Sequence, residues 1–261
     1  MANQAIRRAA YEAVRTCSDV HLLCDTQVRA IQSGEHEIKL VLQDGQVLQP
    51  RLLVAADSRF SDTRRQLGIG AQLKDFGKSM LVCRMQHELE HQQVAWEWFG
   101  YGQTLALLPL NGRQSSTVLT LPPREIERLL ALDESTFARE MEQRFDRRLG
   151  AMQLLGSRHA YPLVGAYARR MVGKRCALLG DAAVGMHPVT AHGFNFGLIG
   201  VQLLSEALLA AHARHQDIAA PATLSRYERQ LRLATWPLYQ ATNLLVELYT
   251  NDHLPARLLR G

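Results

Sequence analysis

Apolar positions recur along the chain with changing period, and the changes divide it roughly into thirds. Residues 4–17 place Ile6, Ala10, Ala13, Val14 and Cys17 on one helical face. Short strand-like runs follow at 20–24 (VHLLC), 27–31 (QVRAI) and 37–43 (EIKLVLQ). Asp44-Gly45 after the third run is a hairpin-turn signal. The run LLVAA at 52–56 is short and wholly apolar, which predicts a strand buried on both faces. Ser61 then predicts the N-cap of a short helix through Leu67, with Gly68 past its end.

The middle third reads differently. Residues 78–89 and 94–120 predict extended segments, among them LALLPL and STVLTL. Pro122-Pro123 opens a helix over about 124–131, since proline suits a first helical turn. Asp133 or Ser135 predicts the cap of another helix, running to Leu149 and stopped by Gly150. An antiparallel sheet with helical cover is the expected outcome. The last third returns to α/β signals. KRCALLG (174–180) predicts a buried strand, and a long helix runs from Gly193 to about His215. A second helix extends from Pro221 or Thr223 to about Tyr249. In it Leu224, Leu231, Leu238 and Leu245 recur every seven residues, as in a coiled coil or a core-packing helix, and Pro237 would kink a long seam.

Composition narrows the function classes. Hydrophobic residues make up 47% of 261, enough for a sizeable core. The net charge of +5 comes from arginines scattered in pairs, such as Arg7-Arg8 and Arg169-Arg170, with no long basic run. That pattern suits solvated helix faces and argues against nucleic-acid binding. The cysteines are Cys17, Cys24, Cys83 and Cys176, none in a C-x-x-C pair. Cys83 and Cys176 lie in apolar runs and are expected as buried free thiols in a reducing compartment. No uninterrupted apolar run reaches the roughly 18 residues of a membrane span.

Chemistry concentrates between Leu178 and Gly197, LLGDAAVGMHPVTAHGFNFG. A buried strand ends at Gly180-Asp181, a loop with Gly185 and Pro188 follows, and a helix begins at Gly193-Phe194-Asn195. Strand, glycine-rich loop and helix make a ligand cradle. Glycines let the backbone approach closely, and the helix start offers N–H groups and partial positive charge. A carboxylate just past the strand end can accept hydrogen bonds from sugar-like hydroxyls. On the residues alone the ligand is unspecified, and an ordinary strand–loop–helix connection is the alternative. His187, His192 and Asp181 fit no standard metal-ligand spacing.

This segment, GDAA…HP…GxNxG, resembles the second FAD motif of the para-hydroxybenzoate-hydroxylase-like flavin monooxygenases. The resemblance implies that Asp181 binds the ribityl chain and that Gly193, Phe194 and Asn195 offer backbone groups to the flavin ring. It implies that Pro188 shapes the loop beside the ring. LLVAADSRFSDTRRQLG resembles the internal Asp-Gly–x–x–Ser–x–x–Arg motif, here Asp57, Ser58, Ser61 and Arg64. Ser58 replaces the usual glycine and would be strained if φ there were positive. Asp57 is thus a candidate cofactor residue, with a helix-capping turn as its alternative. Further matches at HELEHQQVAWEWF, YPL (161–163) and YERQLR (227–232) are similar to the ubiquinone-biosynthesis branch. There Ala191-His192-Gly193 stands for the usual Gly-Gln-Gly, making His192 the candidate catalytic residue, with loop solvation as its alternative. Asn3 falls near a position that touches FAD in relatives.

The resemblance implies an α/β (α+β) fold. An incomplete FAD/NAD(P)-binding doubly wound domain (1–70 and 151–261) is interleaved with an antiparallel substrate-binding sheet (71–150), with C-terminal helices. It implies FAD as cofactor, NAD(P)H as electron donor, and hydroxylation of a polyprenylated aromatic quinone precursor. It also implies a cytoplasmic enzyme associated with the inner-membrane surface or a biosynthetic complex. The apolar sheet around Met80–Val82, Trp96–Phe99 and Leu105–Leu108 would face the substrate, unless its aromatics are core. The family's Gly-x-Gly-x-x-Gly unit is not in this sequence, whose first 60 residues hold only Gly34 and Gly45. Without it, LLVAA and KRCALLG are expected to expose apolar edges, and the chain alone to bind FAD weakly and aggregate. The rival readings are a non-catalytic remnant that binds quinone precursors or partner proteins, and a related prenyl reductase or halogenase.

Overall fold

The computed structural model describes residues 3–100, 103–187 and 192–250. Two compact units share the chain. One gathers Cys24–Phe76 and Val164–Val246; the other gathers Met1–Leu23, Gly77–Leu163 and Glu247–Gly261.

The first of these units opens with a meander, β1 (Val28–Ser33), β2 (Ile38–Leu42) and β3 (Val47–Leu48), paired antiparallel. Gly45 turns the second hairpin at φ +88°, and the Asp44 carboxylate accepts the Gln46 N–H at 2.9 Å. Strand β4 (Leu53–Ala55) follows, then helix α2 (Asp62–Gln66) with Ser61 as N-cap and Gly68 past its end at φ +66°. The strands that return to this unit are β10 (Val172–Gly173), β11 (Cys176–Leu178) and β12 (Val184–Gly185). Strand β4 pairs parallel with β11, Leu53 opposite Cys176, and β10 pairs antiparallel with β11. Sandwiched between two neighbours, β11 is buried throughout, as its apolar run predicts. The expected exposed edge at 174–180 is therefore absent. Strand β4 corrects the sequence reading in the other direction: it lies at the rim of its three-stranded sheet, and Val54 is 38% exposed.

Helices α5 (Gly193–Ala213) and α6 (Pro221–Thr250) complete this unit's core. Phe196, Leu204 and Ala207 of α5 pack in one cluster with Leu178, Leu224, Tyr227 and Leu231. Helix α5 is long and apolar enough by composition to cross a membrane, although no uninterrupted apolar run foretold it. One stripe of it packs into the core, while Leu198, Val201 and Leu209 on the remaining surface are exposed. The heptad leucines of α6 behave likewise: Leu224 and Leu231 are buried, whereas Leu245 is 40% exposed, so no continuous seam forms. The helix continues through Pro237, which lies on the exposed side.

The other unit carries helix α1 (Asn3–Arg15) and a sheet of β5 (Ala71–His87), β6 (Trp96–Gly100), β7 (Gln103–Pro109), β8 (Gln114–Leu121) and β9 (Met152–Ala168). Both β5 and β9 also contribute residues to the first unit. The order in this sheet is β12-β9-β5-β8-β7-β6, with antiparallel pairs β12–β9, β5–β8, β8–β7 and β7–β6. Leu81, Leu107 and Leu119 are fully buried from it against α3 (Pro123–Ala131) and α4 (Glu134–Arg144), through Leu129, Phe137 and Met141. Trp96 and Trp98 pack on that cluster with Arg148 over both rings, so they are core aromatics. Phe99 on β6 and Leu108 on β7 are exposed, at 46% and 42%, as are Leu73 on β5 and Tyr161 on β9.

Three sequence readings fail here for local reasons. Helix α4 stops at Arg144, because Asp146 and Arg147 turn left-handed at φ near +50° and Arg147 N–H bonds the Glu142 carbonyl instead. Residues 20–24 form no strand, and Val20, Leu22 and Leu23 are about half exposed; Asp25 at φ +52° breaks the extended path. On α1 the predicted apolar face is half-buried only at Ile6 and Val14.

Candidate functional site

The strand-end segment gathers its residues around Asp181. Strand β11 delivers the chain to a 3-10 turn, Gly180–Ala182, with Gly180 at φ +56°. Leu179 N–H bonds the Ala55 carbonyl, and the Tyr227 hydroxyl donates to the Leu178 carbonyl at 2.6 Å, so both ends of the approach are held. Helix α5 presses on this turn. A Cβ on Gly200 would stand 2.8 Å from Leu179 Cδ1, one on Gly197 3.9 Å from the Gly180 Cα, and one on Gly193 4.0 Å from Asp181 Oδ1. Only the Gly200 approach leaves no room for a side chain; Cβ atoms on Gly197 and Gly193 would make ordinary contacts.

His192 occupies the N-cap and its side chain makes no capping bond. The first intrahelical bond in this turn is Phe196 N–H to the His192 carbonyl. By helix geometry the N–H groups of Gly193, Phe194 and Asn195 then lack intrahelical acceptors and carry the positive end of the dipole. Phe194 is 61% exposed, an apolar side chain at the mouth of the cradle. His192 Nδ1 is buried and has no hydrogen-bond partner among the described residues. A close-approach cradle, an uncapped helix start and a buried ring nitrogen without a partner fit a ligand with hydroxyls at one end and an electron-rich polar edge at the other.

Asp181 is ion-paired. Arg59 Nη2 and Nε both donate to Oδ2, at 2.8 and 3.2 Å, and Oδ1 accepts no hydrogen bond among the described residues. The same guanidinium donates through Nη1 to the Val164 carbonyl at 3.0 Å. Arg64 lies behind it, 4% exposed, donating to the carbonyls of Ala182 and Arg59 at 2.8 and 3.0 Å. Burial pushes the Arg64 pKa below its ordinary value, against the pull of Asp57. The sequence marked Arg64 through its motif and missed Arg59, whose partner is 122 positions away and leaves no local signal.

The other sequence candidates fall elsewhere. The Asp57 carboxylate is engaged at the start of α2, accepting the Ser61 hydroxyl at 2.6 Å and the Thr63 N–H at 3.2 Å. Burial pushes its pKa up, but these hydrogen bonds win and hold it below the usual carboxylate range. Ser58 is not among the residues with positive φ, so replacing the usual glycine causes no backbone strain here. Asn3 is the first residue of α1, in the other unit. Pro188 lies outside the described residues.

Comparison with known proteins agrees with this geometry. The profile of the family described as "FAD binding domain" matches residues 3–242, and the chain belongs to that family of FAD-binding proteins. Among curated relatives, a ubiquinone hydroxylase of Neisseria meningitidis is 47% identical over 261 residues, all of this chain and 57% of the relative. A ubiquinone hydroxylase of Rhodospirillum rubrum is 36% identical, covering 99% of this chain and 60% of the relative. The chain thus spans about three fifths of the length of these relatives. In fold it is similar to the crystal structure of PqsL, a probable FAD-dependent monooxygenase from Pseudomonas aeruginosa. The TM-score is 0.74 at 25% identity, over 94% of this chain and 67% of that one. It also shares the fold of p-nitrophenol 4-monooxygenase from Pseudomonas putida, with TM-score 0.79 at 17% identity, over 99% and 66% of the two chains. The α/β architecture and the flavin cofactor expected from the sequence both hold.

Proposed function

We propose that this chain carries the ribityl- and ring-binding part of an FAD-dependent monooxygenase that hydroxylates an aromatic ring, with a polyprenylated quinone precursor as substrate. The observation that carries the reading is Asp181 set against the start of α5, with one carboxylate oxygen accepting no hydrogen bond among the described residues. Bound flavin would supply oxygen activation after reduction, with NAD(P)H as the donor. The chain's own residues have three tasks. Asp181 Oδ1 accepts a ribityl hydroxyl. The N–H groups of Gly193, Phe194 and Asn195 take the polar edge of the ring, where the dipole favours negative charge. His192 Nδ1, buried and without a partner among the described residues, would exchange a hydrogen bond beside the ring. The unit around residues 77–163 is assigned the substrate, and the exposed Phe99 and Leu108 suit a prenylated molecule. On this reading, work on so apolar a substrate would suit a cytoplasmic protein acting at the inner-membrane surface. The named hydroxylase relatives support this reading over a remnant, a prenyl reductase or a halogenase.

The test is reconstitution. Chain titrated with FAD should quench flavin fluorescence, and NAD(P)H oxidation should rise when a prenylated phenol is added and yield the hydroxylated ring. Flavin binding without ring oxidation by any nicotinamide donor would refute the hydroxylase assignment.

A further inference from the structure

Arg59 is the least expected feature of the site, and three observations converge on it. Its guanidinium puts two donors on a single oxygen of Asp181, Oδ2, and leaves Oδ1 on the side of Gly193. It is also tied to backbone: Nη1 donates to the carbonyls of Val164 at 3.0 Å and Met186 at 3.5 Å, so the group that holds Asp181 is itself held from both sides of the loop. The loop is shaped around its stem as well. A Cβ on Gly185 would stand 2.8 Å from Arg59 Cβ, and Gly185 is paired in β12 opposite Ala166, so neither can step aside cheaply. Arg64 adds a second clasp by binding the Arg59 carbonyl and the Ala182 carbonyl with one buried guanidinium.

We infer that Arg59 is the positioning residue of the ribityl site: it locks the Asp181 carboxylate in one rotamer, with Oδ2 occupied and Oδ1 presented to a flavin hydroxyl. The inference rests on the flavin-site reading above. A free aspartate so exposed samples several rotamers, and binding must then select one of them. A carboxylate already fixed by a planar fork needs no such selection. The side chains of Arg59 and Asp181 are 27% and 37% exposed, so the pair contributes little to stability and its effect belongs to geometry.

The experiment compares two flavins by equilibrium dialysis against the purified chain: riboflavin, which has the ribityl chain, and lumiflavin, which carries a methyl group in its place. In Arg59→Ala, riboflavin affinity is expected to fall about tenfold while lumiflavin affinity is unchanged; a tenfold change is about 1.4 kcal/mol. Asp181→Ala should show the same selectivity, and the double variant should be no worse than Asp181→Ala alone. Arg59→Lys keeps one charge without the fork and should fall between wild type and Arg59→Ala. Equal loss of both flavins, no loss of riboflavin, or additive effects in the double variant would each overturn the inference. So would failure of both Arg59 variants to fold by circular dichroism, since the role would then be structural. Wild-type chain that binds neither flavin would instead defeat the flavin-site reading on which the inference stands.

Discussion

Replacing Tyr227 by phenylalanine isolates one hydrogen bond at the entrance to the cofactor turn. The ring is fully buried among Leu178, Leu224 and Leu231, and its hydroxyl donates to the Leu178 carbonyl at 2.6 Å. Phenylalanine keeps the ring and opens no appreciable cavity. What remains is a buried carbonyl without this donor, which costs about 1–3 kcal/mol. For a chain of this size each kcal/mol moves the Tm by about 2–4 °C, so a fall of roughly 4–8 °C is expected for the middle of that range. Differential scanning calorimetry measures it, with Tyr11→Phe as control because Tyr11 is 50% exposed. The pH dependence gives a second reading. Burial pushes the Tyr227 phenol above its ordinary value near 10, and Glu228 adds to the shift. A raised folded-state pKa contributes stability that is present below the unfolded value and declines as pH rises above it. The gap between wild type and Tyr227→Phe should therefore narrow above about pH 10. A Tm change within about 1 °C of the Tyr11→Phe control at pH 7 would show that the Leu178 carbonyl is satisfied without Tyr227 and would refute the reasoning.

Two further outcomes follow from groups already described. The buried thiols of Cys83 and Cys176 are pushed up by desolvation, to about 12 and about 11, so an aromatic disulfide reagent at pH 8 should titrate two thiols rapidly, Cys17 and Cys24, and the others only after denaturation. Four fast thiols in folded protein would contradict the buried placement. Asp57→Ala should cost about 1 kcal/mol through loss of its bonds to Ser61 and Thr63. Because the Asp57 pKa is lowered on folding, its contribution is present above the unfolded value near 4 and is lost as pH falls below it, so urea midpoints of wild type and variant should converge towards pH 3.

Much of the site was legible before the structure, because close approach and capping are local. The turn at Gly180-Asp181 and the helix start at Gly193 follow from glycine and from the end of an apolar run, and both stand where expected. Ser61 at the start of α2 is the same kind of signal. What the sequence hid depends on partners distant in the chain. Arg59 reads as one arginine among many until its guanidinium is seen on Asp181. The run LLVAA reads as a doubly buried strand, yet β4 has a neighbour on one side only, and strand position within a sheet leaves no mark on apolar periodicity. Likewise VHLLC has the composition of a strand, but no neighbouring strand pairs with it among the described residues.

The pairing of β4 with β11 has a consequence for how the chain reaches this state. Leu53 lies opposite Cys176, so their contact closes a loop of more than a hundred residues. Closing a loop of that length costs about 2 kcal/mol more than closing one of ten residues. Residues 77–163 carry their own buried cluster within a single continuous stretch and can be complete while β4 still waits. During synthesis β4 cannot pair with β11 until residues 176–178 have been made. The strand pair that leads into the cofactor cradle thus waits on this long closure, and β4 is open to mispairing in the interval between translation of residue 55 and residue 178.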